Sequence, residues 1–118
     1  MCGIVGLVDF KRDNISQANL REMSKCLKHR GPDAEAIWIE QNVGFGHTRL
    51  AILDLSSEAN QPMISADSRY VITYNGELYN YAELKIQLEN KGYKFRTHSD
   101  TEVVLSECPP LSPIPKSR

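Results

Sequence analysis

Long apolar runs are missing from this sequence. None approaches the roughly 20 residues that span a bilayer, so a membrane partner is not expected. A basic excess is missing as well. Lys and Arg total 14 against 15 Asp and Glu, a net charge of −1, whereas a phosphate-binding surface needs the opposite balance. Nucleic acid is therefore not expected either. The start has no basic n-region, and Asp9, Lys11, Arg12 and Asp13 interrupt any apolar stretch of signal-peptide type. Cysteine is scarce: Cys2, Cys26 and Cys108 form an odd, scattered set without C-x-x-C spacing. That argues against a disulfide framework and a zinc site, and it points to reduced thiols in a cytoplasmic protein. No metal site and no cofactor are expected within the chain, and no internal repeat is visible.

What is present is an ordinary globular composition, 41% hydrophobic and 25% charged over 118 residues. It is enough for one domain with a modest core. Gly3 to Phe10 reads as a short buried strand. Asn14 or Ser16 can cap a helix running to about Lys28, with Leu20, Met23 and Leu27 on one face and Gly31-Pro32 as its stop. Ala36 to Glu40 reads as a strand, Gln41-Asn42 as a turn, and Val43 to Leu53 as a second strand or pair of strands. Asn60 to Ser68 reads as loop and Tyr70 to Tyr74 as a strand. Asn80 can cap a helix to about Asn90, with Leu84 and Leu88 four apart and Gly92 at its C-terminal cap. Tyr93 to Thr97 reads as a further strand. Ser99-Asp100-Thr101-Glu102 has the S-x-x-E form of a capping box. The helix it opens is cut short, because four of the six prolines lie in Pro109 to Pro115. Strands and helices come in blocks rather than strict alternation, which predicts an α+β fold rather than a doubly wound sheet.

The chemistry starts at the amino terminus. Removal of Met1 would leave Cys2 carrying both a thiol and a free α-amine, whose unperturbed pKa of about 7.7–8.0 leaves part of it as free base near neutrality. Nucleophile and base then sit on one residue. The alternative is a small buried residue opening a strand. Asn75 and Gly76 follow a strand, where a side-chain amide and a main-chain N–H can face a developing oxyanion; an Asn-Gly pair is equally a hairpin turn. Arg49 shares a strand face with Val43, Phe45 and His47. It suits a carboxylate ligand bidentately, or else a structural ion pair. Asp100, in the first turn of a helix, can favour the helix dipole or accept an ammonium group. The three histidines, His29, His47 and His98, read as structural.

Five segments occur in order: Met1-Cys2-Gly3-Ile4-Val5-Gly6, His29-Arg30-Gly31-Pro32-Asp33, His47-Thr48-Arg49-Leu50-Ala51-Ile52-Leu53-Asp54, Tyr74-Asn75-Gly76-Glu77-Leu78-Tyr79-Asn80 and Ser99-Asp100-Thr101-Glu102. Together they resemble the glutaminase domain of the glutamine-hydrolysing asparagine synthetases, a class II amidotransferase domain with an N-terminal nucleophile. The resemblance covers about Met1 to Leu105. It implies that Cys2 attacks the side-chain amide of glutamine to form a thioester. Asn75 and Gly76 would hold the oxyanion, Arg49 would bind the α-carboxylate, and Asp100 with Glu77 would bind the α-ammonium. Backbone groups of Leu50, Ala51, Ile52 and Leu53 would line the pocket, and Arg30 to Asp33 would form a loop beside it.

The fold implied is a four-layer αββα sandwich of antiparallel sheets, of which this chain holds the N-terminal part. In that family the released ammonia passes to a C-terminal synthetase domain that uses ATP and Mg²⁺ to amidate aspartate or a related carboxylate. That domain, with its Ser-Gly-Gly-x-Asp-Ser loop, does not occur in this sequence. Residues 1–105 therefore read as a partial amidotransferase domain and 106–118 as a proline-rich irregular tail, so that against this family the chain looks truncated. An inactive fragment and a non-catalytic binding module stay open beside the enzyme, and so does a homo-oligomer.

Overall fold

The structure is a computed structural model and describes residues 1–11, 14–51 and 54–108. Strand β1 (Gly3–Val8) is followed by helix α1 (Gln17–Lys25) and the strands β2 (Ala34–Glu40) and β3 (Val43–Arg49). A 3-10 turn (Ser57–Ala59) leads to the short strands β4 (Met63–Ile64) and β5 (Val71–Ile72), then to helices α2 (Tyr81–Asn90) and α3 (Asp100–Ser106). Both sheets are antiparallel, one ordered β1-β3-β2 and the other β4-β5. The architecture is mixed, with sheets and helices in blocks, and fits an incomplete sandwich. Among the described residues no helix is long and apolar enough to cross a membrane.

In the three-stranded sheet β3 is central, and its two faces differ. Gly44, Gly46 and Thr48 point one way, while Val43, Phe45, His47 and Arg49 point the other. Helix α1 covers the glycine side. A side chain at Gly44 would strike Leu20 and Ile15, and one at Gly46 would strike the Ser24 hydroxyl. This close approach decides which face of α1 is buried. Leu20 and Ser24 are fully enclosed, whereas Met23, expected on that face, is 40% exposed. The helix also ends at Lys25, before the expected Lys28, and residues 26–30 turn back toward β3. There Leu27 still packs, and its carbonyl accepts the Thr48 hydroxyl at 3.1 Å. On the opposite face the Trp38 and Phe45 rings stack at 5.7 Å, and Ile4 and Val8 stay partly exposed.

Several elements differ from their sequence expectations for identifiable reasons. Met63–Ile64, inside the expected loop, pairs with Val71–Ile72, so only two residues of Tyr70 to Tyr74 are strand. Tyr93 to Thr97 is not a strand. Its N–H groups at Arg96 and Thr97 bond the Glu102 carboxylate at 2.9 and 2.7 Å, which removes them from any ladder. The same bonds undo the expected capping box. The Ser99 hydroxyl does accept from Thr101 N at 3.1 Å, but Glu102 turns away from the cap. Asn80 occupies the cap position of α2 without a side-chain bond. The other end of α2 is as expected. Gly92 has φ +98°, and the N–H groups of Gly92 and Tyr93 bond back to Glu89 and Leu88 in the pattern of a Schellman stop. Helix α3 ends at Ser106, short of the prolines. Residues 109–118 of the expected tail lie outside the described residues.

The point that positions the site is Gly31. A Cβ there would run into the Thr48 carbonyl and the Arg49 nitrogen, which are backbone and cannot rotate away. Asp33 N donates to Arg49 O at 2.9 Å, and Pro32 bridges Arg49. Gly31→Ala is therefore expected to lower stability by about 1–3 kcal/mol through overpacking. A urea denaturation series measures the loss, and the amide resonances of Arg49 and Leu50 should shift with it. An unchanged midpoint would show that this loop does not clamp β3.

Candidate active site

Cys2 lies at the head of β1, and the register Gly3↔Thr48 brings it beside the end of β3. Its sulfur accepts the Leu50 N–H at 3.3 Å. Its carbonyl accepts the Arg30 Nε–H at 3.2 Å, so the loop after α1 holds the residue from behind. The same loop orders the chain beyond β3 through Ala51 N, which donates to Asp33 Oδ2 at 2.8 Å.

A cavity of about 570 Å³ opens at this point, and Cys2, Arg49, Asn75, Gly76, Glu77 and Asp100 all line it. Residues from the chain start, the β3 end, the segment after β5 and the start of α3 thus meet in one place. Leu50 also lines the cavity. Ala51 does not, and its N–H is held by Asp33; Ile52 and Leu53 lie outside the described residues.

Arg49 is 8% exposed. Its Nη1 donates to Ser56 O and to Asn60 Oδ1, both at 2.6 Å. Among the described residues no carboxylate lies within ion-pair distance of it, which removes the structural ion pair as its explanation. A buried guanidinium without a counter-charge is costly, and here it borders a cavity. Asp100 is 6% exposed, and its Oδ2 accepts the Leu78 N–H at 2.9 Å. Glu77 is exposed at the cavity wall. The cavity lining therefore includes one cation, Arg49, and three carboxylates, Asp54, Glu77 and Asp100. Both Asp54 oxygens are taken by the Ser56 and His98 N–H groups, so Arg49, Glu77 and Asp100 make the combination suited to an α-amino acid.

Asn75 and Gly76 do not form a hairpin turn, because the chain runs on from them toward α2 and, among the described residues, no paired strand follows. The Asn75 amide makes no bond to any described residue. Gly76 is needed for space: a Cβ there would lie 2.8 Å from the Tyr74 ring and hydroxyl. Burial, then Asp100 and Glu77, raise the Tyr74 pKa, so the phenol stays protonated through the neutral range.

Sequence reading missed the residues that tie these pieces together. Gln61, 7% exposed, accepts the Tyr74 N–H and donates to Thr101 Oγ1 at 3.1 Å. Asp54 accepts Ser56 N and His98 N, each at 2.8 Å. The Ser56 side chain and then these N–H groups hold its carboxyl down at about 2. Only burial distinguishes such residues from ordinary loop polar groups. His47 is structural, as expected. Its Nδ1 lies 2.8 Å from Thr73 Oγ1, and its buried Nε2 has no partner among the described residues.

Burial, reinforced by Arg49, lowers the His47 pKa from 6.5 to about 4. As pH falls below 6.5 the unfolded chain takes up a proton here that the folded chain refuses until about pH 4. Stability should therefore fall across that window, separately from the lower window of Asp54. Urea midpoints between pH 7 and 4 measure this, and His47→Gln should flatten the profile. A profile equally steep without His47 would place the titration elsewhere.

The chain is similar to known proteins along most of its length. A family model described as a glutamine amidotransferase domain matches residues 1–109. Asparagine synthetase [glutamine-hydrolyzing] 1 of Bacillus subtilis (strain 168) is 42% identical over 111 residues, which is 90% of this chain and 17% of the relative. Asparagine synthetase B [glutamine-hydrolyzing] of Escherichia coli (strain K12) is 36% identical, over 90% of this chain and 19% of the relative. Asparagine synthetase [glutamine-hydrolyzing] 1 of Arabidopsis thaliana is 39% identical, over 88% and 18%. The chain thus spans less than a fifth of the length of these relatives.

Proposed function

The chain belongs to the family of glutamine amidotransferase domains, and on that premise we propose that it hydrolyses glutamine to glutamate and ammonia, with Cys2 as nucleophile. Removal of Met1, which borders the cavity, frees the Cys2 α-amine. That amine takes the thiol proton, and the sulfur attacks the side-chain amide carbon of glutamine. The oxyanion that forms is held by the Asn75 amide and the Gly76 N–H. The amine returns the proton to the departing nitrogen, which leaves as ammonia. Water, deprotonated by the same amine, then opens the thioester to release glutamate and restore the thiol. Arg49 binds the α-carboxylate; Asp100 and Glu77 bind the α-ammonium.

The observation that carries this reading is Arg49, a buried cation at the cavity wall with no carboxylate of its own among the described residues. Likeness to the asparagine synthetases supports a further step in which the ammonia feeds an amidation of aspartate or a related carboxylate. ATP and Mg²⁺ would serve that step in a synthetase domain beyond these 118 residues. The described residues include no cluster of three or more His, Cys, Asp or Glu that fits a metal ion. The unpaired cysteines suit a reducing, cytoplasmic setting.

The decisive experiment compares ammonia release from glutamine by the wild type and by Cys2→Ala, with circular dichroism as a check on folding. Turnover should fall below about a hundredth of wild type. A residue retained ahead of Cys2 should inactivate the protein equally, because an amide nitrogen cannot act as the base. Substantial turnover in either form would overturn the assignment of Cys2, while glutamine binding without hydrolysis in the wild type would favour a binding module.

Arg49→Lys should raise the KM for glutamine. Lysine keeps the charge but loses the two-donor match to a carboxylate, which is worth about 1–3 kcal/mol. An unchanged KM would exclude Arg49 from the substrate contact.

A further inference from the structure

One short loop, residues 54–61, bonds Arg49, Tyr74 and the start of α3. Within it, Ser56 O and Asn60 Oδ1 both accept from Arg49 Nη1. Asp54 Oδ2 accepts the His98 N–H just before α3. Gln61 uses both ends of its amide: Oε1 receives the Tyr74 N–H and Nε2 donates to Thr101, next to Asp100. We infer that Asn60 and Gln61 are adjacent positioning residues with separate tasks. Asn60 aims the Arg49 guanidinium into the cavity, and Gln61 fixes the Tyr74-Asn75-Gly76 segment against the start of α3. The inference rests on the glutamine-hydrolysis reading of the site.

The chemistry of each residue fits its task. An arginine that must bind a carboxylate needs an orienting acceptor that does not neutralise it. The neutral Asn60 oxygen and the Ser56 carbonyl supply this, whereas an acidic residue would compete with the ligand. Helix α3 has anchors besides Gln61: Ser99 caps it, Glu102 ties it to residues 96 and 97, and Asp100 bonds Leu78 N. The Tyr74 N–H has Gln61 as its bonding partner. Loss of Gln61 therefore loosens the oxyanion segment far more than the helix.

Two adjacent residues should then give opposite kinetic signatures. In Asn60→Asp the introduced carboxylate pairs with Arg49. The KM for glutamine, and the Kd for glutamate measured by calorimetry, should rise about tenfold or more. The turnover number should change little, and the urea midpoint should hold or increase because the new ion pair stabilises the fold. A merely structural Asn60 would give the same midpoint with no loss of affinity, and that result overturns its assignment. In Gln61→Met the turnover number should fall about tenfold or more with KM nearly unchanged. Amide exchange of Tyr74, followed by NMR, should speed up while the α3 amides keep their protection. Equal loosening of Tyr74 and α3, or equal changes in turnover and KM, would overturn the role of Gln61. These failures are distinct from failure of the functional reading. A wild type that neither hydrolyses glutamine nor binds glutamate refutes that reading, and this inference with it.

Discussion

The contact between the 30–33 loop and the end of β3 is the constraint on which the site depends. Gly31 lies so close to the Thr48–Arg49 peptide that no side chain fits between them. From that contact Arg30 reaches the Cys2 carbonyl and Asp33 reaches the main chain at residues 49 and 51. The antiparallel register of β1 and β3 then sets Cys2 beside Leu50 without further adjustment. Cys2 and the backbone of Arg49 are thus positioned by main-chain geometry. Backbone placement is stiffer than placement by long side chains, and a reacting atom tolerates little error.

Charge supplies the second half of the design. Arg49 and Asp100 are each less than a tenth exposed, yet they are not joined to each other. Each is held by neutral partners, Arg49 by a carbonyl and an amide oxygen and Asp100 by a main-chain N–H. Two opposite charges kept apart in a shared cavity retain their capacity for a ligand that carries both signs. Had they paired, the desolvation cost would have been offset internally and little attraction would remain for a substrate.

The parts legible in the sequence were those with strong local signals. The β1 strand, the Gln41-Asn42 turn, the Gly92 stop and the proline limit on α3 each rest on a few adjacent residues. The residues that meet at the cavity were legible as candidates for another reason: Cys2, Arg49, Asn75 and Asp100 belong to ordered segments with a recognisable chemistry. Failures came where distant groups decide local form. Tyr93 to Thr97 has strand composition, but a carboxylate from α3 takes its N–H groups. Met23 has the right spacing for burial, but the gap above Gly46 admits Ser24 instead. Asn60 and Gln61 look like any polar loop pair until their partners at 49, 74 and 101 are known.

Those partners show how the two halves of the site are joined. Arg49 sits on the three-stranded sheet, while Tyr74, Asn75 and Gly76 follow the two-stranded one. Hydrogen bonds tie these regions together: His47 to Thr73, Gln61 to Tyr74 and Thr101, and the 56–60 loop to Arg49. Among the described residues more polar or charged side chains than apolar ones are buried. Apolar packing tolerates sliding, because it is non-directional. Hydrogen bonds fix distance and angle, and in a buried setting leaving one unmade costs the full desolvation of its partner. Held in this way, the two halves can settle in few relative positions, and a site assembled from four separate stretches of chain requires that restriction.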